Sequence, residues 1–401
     1  MTQRPSPPAL VFFLCFIAGL CEGYDLQSAG IAAPKFAPVF HLDPAHLGWV
    51  FSASTFGLFI GALVGGRLAD RIGRRGVLIA SMLVFGLFSI GTALVPDVNS
   101  LLLIRFLTGL GLGGAMPNLI ALTAEAGKPE RATMRVTMLS AAMPFGGFIV
   151  GGLMVAHPEI DWKSIFWIGG LAPIAVAALM VISLPESTAF QIDRALGIRA
   201  DIPQALAGDK RMAPTLLMWT AAFFTSLALY LLINWLPSLL VSKGFLKTDA
   251  SKIAMVLTLG GAASGFVFGA LARFRLRGLL YLLTWLGMIV SVVGMALVSH
   301  TLPLACLAGF GIGFFLSGGG FLLYAFATEL YPSAGRATGF GFLVGASRLG
   351  AVAGPLLAGI LLTADRNAGD VMLSLVPLIA IALIAALFLS GGRHVGQAIA
   401  Q

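Results

Sequence analysis

Two acidic residues stand where an acid is costly. Leu10 to Pro34 is an almost unbroken apolar run, and Glu22 and Asp25 lie deep inside it. A carboxylate at bilayer depth costs roughly 2.5–3.5 kcal/mol on insertion scales. Three residues apart on a helix, the two side chains share a face. Counted from Pro8 at one surface, Glu22 lies about 21 Å and Asp25 about 25 Å along the helix axis, both in its second half. Such a pair is expected to face a protein interior or a water-filled cavity. There it either loads and releases a proton, because burial and a neighbouring acid both favour the protonated form, or it locks this helix to a neighbour through an ion pair.

Two arginines match these acids. Arg105 lies about five residues into another apolar run that enters from the opposite side, so its depth equals that of Asp25. It is either the structural partner of Asp25 or a group freed for a substrate carboxylate when Asp25 takes a proton. Arg348 lies about 11 residues into a later run, near mid-membrane, with no acid at similar depth in the later runs. A guanidinium there grips a carboxylate through two parallel bonds, which makes an anionic ligand its expected partner. Tyr24, Gln27, Asn118, Tyr230, Asn234, Trp235, Phe321 and Tyr324 are the polar and aromatic residues placed to shape a ligand pocket. Each has packing, or a membrane-interface belt, as its alternative role.

Other chemistries find no residues. No nucleophile–base–acid set and no metal cluster stands out, so an enzyme is not expected. There is no phosphate-binding Gly-Lys-Ser/Thr loop for direct use of ATP. His41, His46, His157, His300 and His394 fall at run ends or in loops, which argues against a histidine relay. Cys15, Cys21 and Cys306 lie in apolar runs without metal-ligand spacing, and a disulfide framework is not expected.

These side chains need a membrane-spanning bundle to hold them. The chain has 401 residues, 58% hydrophobic and only 10% charged, against about 25% charged in a soluble domain. Runs this long and continuous are helices, not barrel strands. Twelve spans are expected, at about 9–33, 46–66, 76–95, 100–123, 134–156, 164–184, 213–236, 250–272, 278–299, 303–326, 337–362 and 371–390. MTQRPSPPA at the N-terminus carries one charge and the run after it is too long for a signal-peptide core, so the first span is read as retained. Residues 185–212 form the one long polar segment, a cytoplasmic linker between six-helix bundles at 1–184 and 213–401. An amphipathic helix near Phe190 to Leu206 and a flexible tether are both compatible with its composition. With the N-terminus inside, the inner loops and tails hold 17 of the 25 Lys and Arg and the outer loops six, with Arg105 and Arg348 inside spans. This bias places both termini in the cytoplasm. It also accounts for the net charge of +8 without nucleic acid.

The halves repeat. GGRLADRIGRRG at 65–76 aligns with GALARFRLRG at 269–278, GLGLGG at 109–114 with GFGIGF at 309–314, and Glu125 with Arg131-Ala132-Thr133 aligns with Glu329 and Arg336-Ala337-Thr338. Two parallel six-helix repeats around a central site are a transporter architecture. Arg105 aligns with Ala305, so the glycines are shared by both halves and the arginine is not. Gly109 with Gly113, and Gly147 with Gly151, are expected to let helices approach closely.

The loop pattern GxLADRxGRR, here Gly66, Leu68, Ala69, Asp70, Arg71, Gly73, Arg74 and Arg75, resembles the cytoplasmic-loop motif of the major facilitator superfamily. RFLTGLGLG of the fourth span and ELYPSAGRATG after the tenth are similar to it as well, and the resemblance covers the whole chain. Within that superfamily, EGYDLQSAGIAAP, NLIALTAE at 118–125 and SRLGAVAGP at 347–355 resemble the aromatic acid:proton symporter family. Most of its members read Asp-Gly-x-Asp where this chain reads Glu22-Gly23-Tyr24-Asp25. The Glu-Gly form most resembles the branch for 3-(3-hydroxyphenyl)propionate. The resemblance implies proton-coupled import of a small aromatic carboxylate through the bacterial inner membrane by alternating access, with the proton as coupling ion, no other cofactor, and a single chain as the working unit. It implies proton coupling at Asp25 and Glu22 and a cytoplasmic gate formed by Gly66, Asp70, Arg71, Gly73, Arg74, Arg75, Glu125, Arg131, Glu329 and Arg336. In that gate Asp70 latches the second span to the eleventh in the outward-open state, while Arg273 stands at the matching place in the second half. A proton-driven efflux pump for amphipathic compounds shares the fold and the acids. A membrane sensor that binds aromatic acids without moving them is the alternative from another class.

Overall fold

The computed structural model describes residues 7–128, 131–187, 211–271, 277–299, 301–331 and 336–391. Among them are thirteen helices: α1 (Pro8–Phe36), α2 (Pro44–Ile72), α3 (Arg74–Leu94), α4 (Val98–Glu125), α5 (Ala132–Ala156), α6 (Trp162–Ser183), α7 (Met212–Ser242), α8 (Lys247–Leu271), α9 (Arg277–Leu297), α10 (Leu302–Leu330), α11 (Arg336–Thr363), α12 (Ala368–Leu373) and α13 (Leu375–Gly391). They make twelve segments long and apolar enough to cross a membrane, the number expected. The twelfth differs in detail: it starts at Ala368 and is interrupted at Ser374, where α12 ends and α13 begins. The centre of the linker, with the segment from Phe190 to Leu206, lies outside the described residues. Below, "inner" denotes the side to which the charge bias assigns the termini.

Several helices begin where a side chain takes over the free N–H groups of the first turn. Asp43 accepts from the His46 N–H at 2.7 Å, and Asp97 from the Ser100 N–H at 2.9 Å. Asn367 and Asp370 cap α12 reciprocally.

Glycines set the closest helix pairs, and they do so in both halves. In the first half, a Cβ on Gly57 or Gly61 of α2 would strike the backbone of Phe106 or Leu110 in α4, and one on Gly109 or Gly113 of α4 would strike Ser54 or Leu58 in α2. In the second half, Gly260 of α8 lies against Phe310 of α10, and Gly313 against Leu257. Gly146 of α5 on Leu20 of α1 is likewise repeated by Gly350 of α11 on Phe223 of α7. Because the obstructing atoms are backbone, a larger residue must part the helices. Gly57→Val is expected to cost about 1–3 kcal/mol, the usual range for overpacking, seen as earlier thermal unfolding of the detergent-solubilised protein. An unaltered midpoint would mean that α2 and α4 can separate freely.

The halves meet on the outer side. Gly30 of α1 abuts the backbone of Ile233 and Asn234 in α7, and Gly48 of α2 abuts Pro355 and Gly359 in α11. The Ser52 hydroxyl donates to the Val352 carbonyl at 2.9 Å. The ring of Phe51 meets Trp235 edge-on with centroids 5.4 Å apart, while the Trp235 indole N–H donates to the Pro355 carbonyl at 3.0 Å. Nearer the inner side, Gly66, Gly320 and Gly341 each face open space. There a cavity of about 150 Å³ lies between α5, α8 and α10, lined by Val136, Ser140, Gly265, Phe268, Phe321 and Ala325. The contacts between the halves described here thus lie on the outer side and the cavity on the inner side.

Candidate functional site

The two acids of α1 part company. Both are fully buried, but they look into different places. Asp25 turns into the first six-helix bundle, where Ser89 of α3 donates to its Oδ1 at 2.7 Å. Arg105 of α4 meets its Oδ2 at 3.3 Å through Nη2, which also approaches the Ser54 hydroxyl of α2 at 3.3 Å. The guanidinium lies 5.5 Å from the ring centroid of Phe166 in α6, a cation–π distance. Arg105 is 1% exposed, and its Nε and Nη1 have no hydrogen-bond partner. The depth match read from the sequence thus appears as a contact. One single-point ion pair, with two donor nitrogens left over, is weaker than a forked one.

Glu22 faces the other way. Neither of its carboxyl oxygens has a hydrogen-bond partner, and the charged group whose field it feels is Arg348 of α11, in the second half. The expectation that the two acids line one cavity is therefore corrected. Three residues along a helix leave side chains about 60° apart, enough for one to enter the first bundle and the other to face the second half. The later helices were read as holding no acid at the depth of Arg348, and the acid whose field it feels is Glu22 of α1.

Arg348 is held by Tyr230 of α7, whose hydroxyl accepts from Nη1 at 2.7 Å. Tyr324 of α10 and Ser347 complete this neighbourhood, with the Tyr324 ring 5.2 Å from that of Phe340. The other pocket candidates are spread out. Tyr24 donates to the Ile165 carbonyl of α6 at 3.2 Å, inside the first half. Gln27 covers Gly147 of α5. Asn118 and Asn234 donate to the Gly114 and Tyr230 carbonyls of their own helices, each at 2.8 Å. Trp235 belongs to the outer closure, and Phe321 lines the inner cavity.

The described partners of Arg74 and Arg75 in the loop motif lie within the first half. Gly73 joins α2 to α3 with φ at 106°, a conformation open to glycine. Arg74 pairs with Glu125 at the end of α4 and donates to the Ser187 hydroxyl at 3.3 Å. Ser187 in turn donates to Glu125 at 2.8 Å, and Glu186 accepts from the Arg75 N–H at 3.0 Å. These bonds tie α3, α4 and the chain after α6 together inside the first half. Arg71 and Arg131 are exposed. The side chains of Asp70, Glu329 and Arg336 lie outside the described residues. Arg135, read in the sequence only as one more inner-loop cation, closes the C-terminus of α4. Its guanidinium donates to the carbonyls of Thr123, Ala124 and Lys128 at 3.0, 2.6 and 3.1 Å, complementing the negative end of that helix. Its position 10 residues beyond Glu125 was the available signal, but loop spacing does not tell a cap from a solvated charge.

Twelve spans in two repeats, with the halves in contact on one side and charges set between and within the bundles, define a membrane protein of the transporter class. The model of the Major Facilitator Superfamily matches residues 15–325, and the chain belongs to that superfamily. It is 42% identical over 398 residues to the 3-(3-hydroxy-phenyl)propionate transporter of Escherichia coli K12, covering 98% of this chain and 97% of that one. It is 34% identical to the 4-hydroxybenzoate transporter PcaK of Pseudomonas aeruginosa, covering 94% and 91%. Among solved structures, a bacterial homologue of the human lysosomal transporter Spinster shares the fold with a TM-score of 0.76 at 17% identity, over 96% of this chain and 97% of that one. The named relatives are transporters, not enzymes.

Proposed function

We propose that the protein imports a small aromatic carboxylate, such as a hydroxyphenylpropionate, across the bacterial inner membrane together with a proton. The observation that carries the proposal is Arg348: a guanidinium at mid-span, held by the Tyr230 hydroxyl and set at the boundary between the halves. Such a group binds a carboxylate at low desolvation cost once a ligand enters. The relatives named above, which carry hydroxylated aromatic acids by name, support the choice of cargo.

In this reading Asp25 carries the proton. Protonation ends its attraction to Arg105 and loosens the joint between α1 and α4. Release of the proton on the inner side restores the pair. The two bundles rock about the site, and the proton and cargo each favour the same transition, which is what coupling requires. The reading calls for no cofactor beyond the proton, and a single chain suffices.

The test is uptake of labelled 3-(3-hydroxyphenyl)propionate into vesicles bearing the full-length protein, with an inward proton gradient. Accumulation that a protonophore abolishes is the expected result. Net extrusion would make the protein an efflux pump. Ligand binding without counterflow would make it a sensor.

A further inference from the structure

We infer that Glu22 is the acceptor for a ring hydroxyl of the cargo, so that the site selects phenolic carboxylates over their unhydroxylated counterparts. This rests on the proposed function and assigns the second end of the ligand. The neighbourhood has two unmet requirements. Arg348 makes one described hydrogen bond, to Tyr230, and carries further N–H groups that a ligand could use. Glu22 is fully buried and has two oxygens without a partner. A buried acceptor left without a donor is destabilising, and a ligand that brings the donor relieves this. Glu22 repels the carboxylate end that Arg348 attracts. The complement of a guanidinium with N–H groups to offer, beside an acceptor without a donor, is a molecule with an anion and a hydroxyl. A carboxyl retains an accepting oxygen in either protonation state, so the role does not depend on where its proton is.

The position is held firmly. Gly23, the next residue, lies against the Met143 backbone of α5, leaving no room for a Cβ. The α1 backbone is therefore fixed, and only the glutamate side chain adjusts. Seen along α1, the Gly30 contact with α7 lies about 12 Å outward of Glu22, so the outer closure roofs the site.

The experiment is counterflow in vesicles without a proton gradient, competed by 3-phenylpropionate, 3-(3-hydroxyphenyl)propionate and 3-(3-methoxyphenyl)propionate. The wild-type protein should prefer the hydroxyl compound over both others by about tenfold or more, because a site built around a hydroxyl rejects analogues that lack one. Glu22→Met should bring the three within about twofold by losing affinity for the hydroxyl compound alone. An unchanged ranking in that variant, or no preference in the wild type, overturns the inference while leaving aromatic-acid transport standing. Glu22→Gln gives an independent reading: its amide keeps an accepting oxygen in place, so the preference for the hydroxyl compound over 3-phenylpropionate should persist, and its loss in this variant refutes the assignment. Absence of counterflow with every aromatic acid in the wild type would instead end the proposed function, and this inference with it.

Discussion

Asp25→Asn yields a carrier that exchanges its cargo but does not accumulate it. The amide retains the shape of the carboxyl and an oxygen for the Ser89 hydroxyl, which now donates at 2.7 Å. It cannot take up and release a proton, so the inward proton gradient loses its hold on the transition. The expected accumulation ratio falls to one, while counterflow between preloaded and labelled cargo persists. The substitution also leaves the Arg105 cation buried and unpaired, a loss of about 3–5 kcal/mol when one partner of such a pair is removed. Arg105→Gln in the same chain removes that burden. The double variant should regain thermal stability without regaining accumulation, which separates the structural part of the pair from its coupling part. Full uphill uptake by Asp25→Asn would eliminate the residue as the proton carrier.

Arg348→Ala is expected to raise the apparent KM by about 30-fold or more. Truncating one partner of a buried, hydrogen-bonded charge contact costs about 2–5 kcal/mol; Arg348 is half-buried, which sets the loss at the low end, and Glu22 would also lose the cation whose field it feels. Arg348→Lys should recover only part, because an ammonium has the charge but not the planar fork. Tyr230→Phe removes only the hydroxyl that accepts from Nη1 and should have the smaller effect. An unchanged KM in Arg348→Ala would make the arginine a packing group and move the anion site elsewhere.

Much of this was legible because membranes make some mistakes expensive. Apolar runs of span length, the inner excess of cations and the 200-residue repeat all follow from the bilayer, and the twelve segments emerged from them. The glycines of α2, α4, α8 and α10 were legible for the same reason: close helix contact leaves a small-residue trace. Matching depth put Asp25 and Arg105 within reach of each other, and left open whether they pair. Azimuth was not legible. A shared face said that Glu22 and Asp25 were neighbours, but 60° decides whether a side chain enters one bundle or looks across to the other, and that depends on which helices stand beside α1. The loop cations were equally opaque. Lys35 donates to the carbonyls of Pro158 and Ile160 at 2.7 and 2.6 Å, and Lys243 to those of Met295 and Ala296 at 3.0 and 2.7 Å. Nothing in their spacing distinguishes such ties from solvated charges.

The outer closure between α1 and α7 and between α2 and α11 has a thermodynamic character of its own. Backbone against glycine, one aromatic edge and the Ser52 hydroxyl make up the contacts described there, and among the described residues no ion pair crosses from one half to the other. Reopening that side therefore wets a dry seam and breaks no charge pair. Work of this kind carries a heat-capacity change and little sensitivity to ionic strength. Separation of the halves on that side should accordingly curve with temperature and be nearly indifferent to external salt. The charged groups are then left to decide which solutes set the cycle in motion.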